Sequence, residues 1–360
     1  MSSLLRSPKA LVILAVVGIV FLVSIAGGAL GNEFGGGGFL SSPIANIQLP
    51  AESVTEDALF LDFKVTNTMI ATWLTIIVLV VVSFLATRGL REIPGRLQGL
   101  AEALIEFFLG LAESVAGPEK ARRFLPLVLT IFLFIVAANW LGVLPGFGTI
   151  GRIESPEEVI HHAEDKLDAG EELDLSGIKL QVFEGDGKFG ILTFGSLPSD
   201  EKDEITAADY ERDHGVAGEG KQAGRLAPFL RSANTELNTT LAIALVTMFM
   251  VHFWAFRSIG FLAHVGKFLN FKGGPIGLFV GVLEAIGEVA RVISFTFRLF
   301  GNIFAGEVLL ISMAFLLPLI GIIPFLGLEL FVGLIQAFIF SMLTLVFAAM
   351  ATVAHGTEEH

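Results

Sequence analysis

The sequence predicts an all-α polytopic membrane protein with five or six membrane-embedded helices, a long C-terminal helix pair among them, and one acidic extramembrane insert. Three observations predict it. Hydrophobic residues make up 53% of the 360 and charged ones only 16%, with a mean hydropathy of +0.74, values that soluble domains do not reach. Apolar runs long enough to cross a hydrocarbon core recur along the chain, each needing about 20 residues. The charge is confined: residues 152–236 hold 20 Asp/Glu and 9 Lys/Arg, a net −11 out of −13 for the whole chain.

The remaining composition narrows the classes further. The 33 Phe and 40 Gly against one Tyr suit lipid-facing bulk and close helix packing. With no Cys, disulfide frameworks, Cys-ligated zinc, iron–sulfur clusters and thiol nucleophiles are excluded. The acidic balance argues against nucleic acid as a partner.

Five apolar runs stand out, at residues 10–32, 65–87, 124–151, 237–256 and 330–356. A sixth stretch, 273–328, is too long for one simple span and carries Glu284, Glu288, Arg291, Arg298 and Glu307 among apolar residues. The first run has two readings. A basic start, an apolar core and the small residues of SIAGGALG fit either a retained helix or a secretory signal peptide. The organisation expected is therefore 1–32 as that helix or signal, 33–64 as an external segment, and 65–151 as membrane helices. Residues 152–236 form the insert and 237–356 the charged membrane helices.

Orientation follows from Lys and Arg in the short loops, because long loops cross regardless of charge. Arg6 and Lys9 precede the first run, residues 88–123 carry six basic residues and 257–272 carry three, whereas 33–64 contain only Lys64. Alternating spans then place both termini and the basic loops in the cytoplasm and the insert outside.

Between the second and third runs, Leu97, Leu100, Leu104, Phe107, Leu111 and Val115 recur at helical spacing, with Glu102, Glu106 and Glu113 on another face. The spacing predicts an amphipathic helix over 97–115 at the cytoplasmic surface. Being acidic, it favours protein contact over anionic lipid. In the insert, two β-rich runs flank the turn-forming EGDG of IKLQVFEGDGKFGILTF, which predicts a small hairpin. His161 and His162 lie near several carboxylates. Adjacent histidines on an acidic surface are more often solvated than metal ligands, and no metal is expected. The insert as a whole reads as an appendage, dispensable for coupling.

Ionisable groups in a span cost about 2.5 to 3.5 kcal/mol each on insertion scales, so they mark pathways or partner sites. At about 100° per residue, Arg291 lies about 20° from Arg298, with Ser294, Asn302 and Glu284 within about 40°. They form one polar stripe. Glu307, nine residues beyond Arg298, falls on the opposite face. Gly301, Ala305 and Gly306 leave room near Arg298 for another helix. Arg291 has a local explanation, pairing with Glu288 at i,i+3. Arg298 has no acid three or four residues away, so its counter-charge must come from elsewhere in the chain or from another subunit. In the final run Glu329 and Gln336 are seven residues apart and share a face. A mid-span Gln serves either a helix–helix hydrogen bond or a water wire. Glu236 opens the fourth run, and Glu236, Glu307 and Glu329 together supply carboxylates suited to a proton path. A guanidinium stays protonated, so Arg298 is a fixed charge.

At these residues the chain resembles subunit a of the F-type ATP synthase membrane sector. FRLFGNIFAGE is similar to that family's signature. RSANTELNTTLAIAL, KARRFLPLVLTIFLFIVAANWLGVLPG and QAFIFSMLTLVF are similar to its other characteristic segments, in the family's order over about residues 60–150 and 230–355. The resemblance implies that Arg298 is the essential arginine facing a rotating c-ring and Asn302 the polar residue one turn on. It implies that Glu307 and Gln336 belong to the ion path and that Glu236 stands at the entry side. Glu329 occupies a position where some members carry His. The implied partners are the c-ring, the peripheral-stalk subunit b, the rest of the F-type ATP synthase and the lipid bilayer of a bacterial inner membrane, with no cofactor. The insert and the first run depart from the compact family pattern.

The implied function is ion translocation, with the proton as the expected ion, through two half-channels at the ring. No G-x-x-x-x-G-K-[ST] motif is present, which suits a non-catalytic stator subunit without a nucleotide site. A secondary transporter would be expected to show paired broken helices in a repeat, and no internal duplication is visible. A membrane scaffold would satisfy its buried charges locally, which the isolation of Arg298 opposes.

Overall fold

The computed structural model describes residues 8–28, 31, 51–54, 64–144, 146–164, 173–191, 205–268, 274–317 and 319–352. Along these the order is α1 (Pro8–Gly27), α2 (Asn67–Thr87), α3 (Arg96–Ala116), α4 (Pro118–Gly142), β1 (Ile150–Glu154), α5 (Pro156–Glu164), β2 (Lys179–Glu184), β3 (Phe189–Ile191), β4 (Ile205–Thr206), α6 (Ala207–Arg212), β5 (Lys221–Pro228), α7 (Leu237–Ile259), α8 (Phe261–Phe268), α9 (Gly274–Leu316) and α10 (Ile322–Ala351). Five helices, α1, α2, α4, α7 and α10, are long and apolar enough to cross a membrane. The fold class is that of an all-α polytopic membrane protein, with a minor sheet.

Several helix ends differ from the apolar runs. The third span starts at Pro118, takes in Glu119, Lys120, Arg122 and Arg123 and stops at Gly142. Proline is suited to a first helical position, where no N–H is needed. At the other end, Gly146 and Gly148 adopt φ of 106° and 71° in a turn that leads into β1. The long charged stretch is one 43-residue helix, α9, and the final helix begins at Ile322, so Glu329 lies inside α10 and not before it. The end of the last run, from residue 353, lies outside the described residues, as does most of 33–64.

The chain divides into two compact units. One comprises Ala71–Gly142, Ser232–Phe304 and Leu330–His360. Its core is aromatic: Phe108 meets Phe132 at 4.7 Å, Phe124 meets Trp254 at 4.6 Å and Phe295 meets Phe340 at 4.5 Å between ring centroids, all six residues being buried. The amphipathic helix forms as α3, but its buried face is turned from the expected one. Phe108 and Ala112 are buried, while Leu100 and Phe107 are exposed. Spacing located the helix, and packing of Phe108 on α4 selected the face.

The other unit comprises Met1–Ile70, Val143–Arg231 and Ala305–Glu329. The insert here builds a five-stranded antiparallel sheet in the order β3-β1-β5-β2-β4. The expected hairpin is therefore corrected: β2 and β3 do not pair, because β1 and β5 lie between them. The turn glycine Gly185, at φ 84°, donates its N–H to Gly220 and not across EGDG. Leu226 and Ala227 of β5 and Leu180 and Phe183 of β2 are buried, and that burial outweighs a local turn preference. At Gly224 an added Cβ would lie 2.5 Å from the Glu154 carbonyl oxygen, which is why β1 and β5 approach so closely there. Among the described residues, no group of three His, Asp or Glu side chains is placed to hold a metal; His162 faces Glu154 at 3.9 Å.

Candidate ion-translocation site

Arg298 sits on α9 at intermediate exposure. Arg291 pairs with Glu288, as the i,i+3 spacing allows, and its guanidinium lies 5.0 Å over the Phe347 ring. Arg298 has neither an ion pair nor a hydrogen bond among the described residues. On the same helix Ile286, Val289, Ile293 and Phe297 are 50% or more exposed, and nothing lies within 4 Å of where a Cβ at Gly301 would be. One turn beyond Arg298, Asn302 donates to Gln336 Oε1 at 2.7 Å. Gln336 is 3% exposed, and its amide nitrogen is buried without a hydrogen-bond partner. A second amide chain crosses this unit: Asn234 donates to Asn139 at 2.7 Å, and Asn139 to the Gly333 carbonyl at 3.2 Å. Glu236 is the N-cap of α7, half-buried, and its carboxylate accepts from the Asn238 amide at 3.0 Å.

In the other unit the central contact joins Arg231 to Glu307. The Arg231 Nε donates to Oε1 at 3.1 Å and its terminal nitrogen to Oε2 at 3.0 Å, a two-bond arrangement that a guanidinium suits and an ammonium does not. The sheet places Arg231. Beyond Pro228, Phe229 donates its N–H to the Ile150 carbonyl and Leu230 accepts from Gly148, so the strand alignment continues to the arginine. Glu329, 9% exposed, lies with its carboxylate against Gly306, where a Cβ could not be accommodated. Glu52 stands at the start of α2, held by backbone pairing of residues 52–54 with 65–67 and by the Asn67 amide at 3.5 Å. Burial pushes its carboxyl up to about 7. Arg225 and Arg231 pull it down, and Glu154 and Glu307 push it further up. Glu154 is 3% exposed and accepts two hydrogen bonds from Arg225, at 2.8 and 3.2 Å.

The expected residues thus fall into groups. Asn302 joins Gln336, Glu307 and Glu329 lie in one unit, Glu236 stands at the N-cap position of its helix without a side-chain capping bond, and Arg298 has no ion pair or hydrogen bond among the described residues. The small residues near Arg298 divide too: Gly306 is filled by Glu329 from the same chain, while Gly301 stays open. Sequence reasoning missed Arg231, Glu52, Asn139 and Asn234. A signal existed for Arg231. It is the lone charge in residues 226–235, with no acid three or four positions away, which is the test that singled out Arg298. Glu52 gave no comparable signal.

Fold and site together define an integral membrane protein with buried amides and carboxylates and, on α9, an arginine without a counter-charge among the described residues, the equipment of an ion-translocating membrane subunit. The model of the ATP synthase A chain family matches residues 69–349, and the chain belongs to that family. It is 27% identical to ATP synthase subunit a of Gloeobacter violaceus over 82% of this chain and 85% of that one. It is 26% identical to subunit a of Moorella thermoacetica over 81% and 91%, and 26% identical to that of a Campylobacter jejuni strain over 78% and 87%. Its function is proton translocation in the F0 sector, within the F-type ATP synthase complex.

Proposed function

We propose that Arg298 is the fixed charge facing the c-ring, and that Glu307, Gln336, Asn302, Glu236 and Glu329 serve the two half-channels. The observation that carries this reading is an arginine without an ion pair or hydrogen bond among the described residues, on a stripe of α9 that it shares with the exposed Ser294 and Asn302. Such a face must be covered, because a cation turned to lipid is expensive. A ring of helices each bearing one mid-membrane carboxylate supplies both the apolar cover and the counter-charge. The ring carboxyl is neutral in lipid, loses its proton to one half-channel, passes Arg298 as an anion and is reprotonated from the other. Arg298 stabilises the anion and bars direct proton flow. Each proton crossing supplies about 2.3 kcal/mol per 100 mV, which the rotor carries to the catalytic sector.

In this reading both termini and the basic loops lie in the cytoplasm, the insert lies outside a bacterial inner membrane, and peripheral-stalk subunit b holds the chain against rotation. The unmatched nitrogen of Gln336 and the isolated pair it forms with Asn302 support a wet path there, since a dry one would leave that donor unsatisfied. The test is ATP-driven proton pumping in inverted vesicles, with ring association checked in parallel. Arg298→Ala is expected to abolish pumping while Arg291→Ala retains most of it. Normal pumping by Arg298→Ala with loss in Arg291→Ala would show the assignment to be wrong.

A further inference from the structure

Apart from Arg298, the unit containing α7, α8 and most of α9 holds a second set of ionisable side chains that the mechanism above does not use. His252 on α7 and His264 on α8 meet edge to face with ring centroids 5.3 Å apart, and His252 Nδ1 lies 3.1 Å from His264 Nε2. The other ring nitrogen of His252, Nε2, is 3.8 Å from Glu288 Oε2 on α9. Glu288 is held through its other oxygen by Arg291, and Oε2 is buried without a hydrogen-bond partner. His264 is 4% exposed, packed against Phe256 at 4.8 Å and Phe268 at 5.5 Å. The charged groups on these helices are few. Beyond the four named, α7 carries Arg257, which is exposed, α9 carries Glu284 one turn before Glu288 and, farther along, Arg298 and Glu307, and α8 carries Lys267.

The geometry has the properties of a proton wire. Two imidazoles in contact through one nitrogen each need one donor and one acceptor there, so their tautomers are linked. With His264 donating from Nε2, His252 accepts at Nδ1 and turns an Nε2 proton toward Glu288. With His252 donating from Nδ1 instead, Nε2 is the basic nitrogen facing the carboxyl. Moving a proton from the carboxyl to Nε2 releases the Nδ1 proton to His264 Nε2, and His264 then gives up its own Nδ1 proton to a water that enters from the medium, since that nitrogen is buried within the chain. The arrangement does not suit a metal: the carboxylate faces the nitrogen of His252 that His264 does not, so the donors do not converge. It also exceeds what a packing contact needs.

Its position completes the argument. Glu288 lies ten residues before Arg298, about 15 Å along the helix at 1.5 Å per residue, and α8 belongs to the basic segment between the fourth and fifth apolar stretches. Resting on the half-channel reading above, we propose that Glu288, His252 and His264 form a proton relay on the basic-loop side of Arg298. It exchanges protons between the half-channel and the medium on that side.

In inverted vesicles that side faces the bulk, so both pH and added imidazole reach it. His252→Gln in the assembled complex is expected to slow ATP-driven pumping about tenfold. It should also flatten the pH profile through the imidazole range, and pumping should recover when imidazole is added. An unchanged rate and profile, or a loss equal at every pH and insensitive to imidazole, would overturn the relay. Glu288→Gln, nearly isosteric, carries the same test where His252→Gln impairs ring association. Arg298→Ala separates the two ideas: if it abolishes pumping while His252→Gln behaves as wild type, the relay falls and the half-channel reading stands.

Discussion

Arg231 and Arg298 are two arginines of one chain in opposite electrostatic situations. Arg231 has an 8% exposed side chain and is clasped by Glu307, a residue 76 positions away. Arg298 keeps more exposure and has no counter-charge among the described residues. Both failed the same local test, having no acid one helical turn away. The difference teaches that an arginine isolated in sequence has two fates: a partner from a distant segment, or a partner from outside the chain. A buried pair with good geometry holds two segments together and loses much if one partner is removed. An unanswered guanidinium stores nothing within its own chain and is there to be answered by another.

The sharpest break of the comparison sets function against stability. Arg298→Ala should eliminate pumping yet leave thermal unfolding of the purified subunit close to wild type, because no intrachain bond is lost. Arg298→Lys should pump little or not at all, since an ammonium lacks the planar, delocalised fork. Arg231→Ala should do the reverse in stability. It strands Glu307, and a loss of about 3 kcal/mol is expected, at the low end for a broken buried pair because the Glu307 side chain is 27% exposed. Equal stability of the two variants would mean that the Arg231 clasp contributes nothing measurable.

A smaller effect is expected from Glu307→Gln. The change keeps shape and removes a titratable site, so proton flux should fall about tenfold or less with the ring still bound. Flux unchanged at every pH would leave Glu307 as the structural partner of Arg231 alone. Replacing residues 155–225 by a short Gly/Ser linker should be milder still. Arg231, Glu307 and Glu329 remain, while Glu154 loses Arg225. Pumping per assembled complex should persist at a reduced rate. Its loss despite normal assembly would make the sheet part of the proton path, where the sequence suggested an appendage.

The smallest effect is at Glu52 and depends on pH. Burial raises its carboxyl from 4.5 to about 7, so the folded chain keeps a proton that the unfolded chain releases. The linked stability is fully present below pH 4.5 and is lost as the pH rises to about 7. Glu52→Gln stays neutral throughout. It should match wild type in acid and be more stable above neutrality by on the order of 2 kcal/mol, read as a higher unfolding temperature. A gain of the same size at both pH values would assign the effect to packing.

Features set by one segment and its solvent are legible in the chain before it folds. A hydrocarbon slab demands about 20 apolar residues, so α2 and α7 are readable almost to the residue. One helical turn sets Arg291 against Glu288, so that pair was readable too, and the family motif around Arg298 is a continuous segment. The same reasoning reached the existence of α3 but not its buried face, because Leu100 and Phe108 are equally apolar and only α4 distinguishes them. Tertiary structure alone decided the rest. The EGDG turn invites a hairpin, yet β2 prefers β5 because Phe183 is buried with Leu226 and Ile153 in one cluster and Leu180 with Ala223, Val159 and Ile205 in another, which outweighs a turn. Arg231 meets Glu307, Asn234 meets Asn139, and Asn302 meets Gln336 across separations of 76, 95 and 34 residues. No local periodicity encodes such distances: a charge or an amide specifies that it needs a partner, and the packing of whole segments specifies which one it finds.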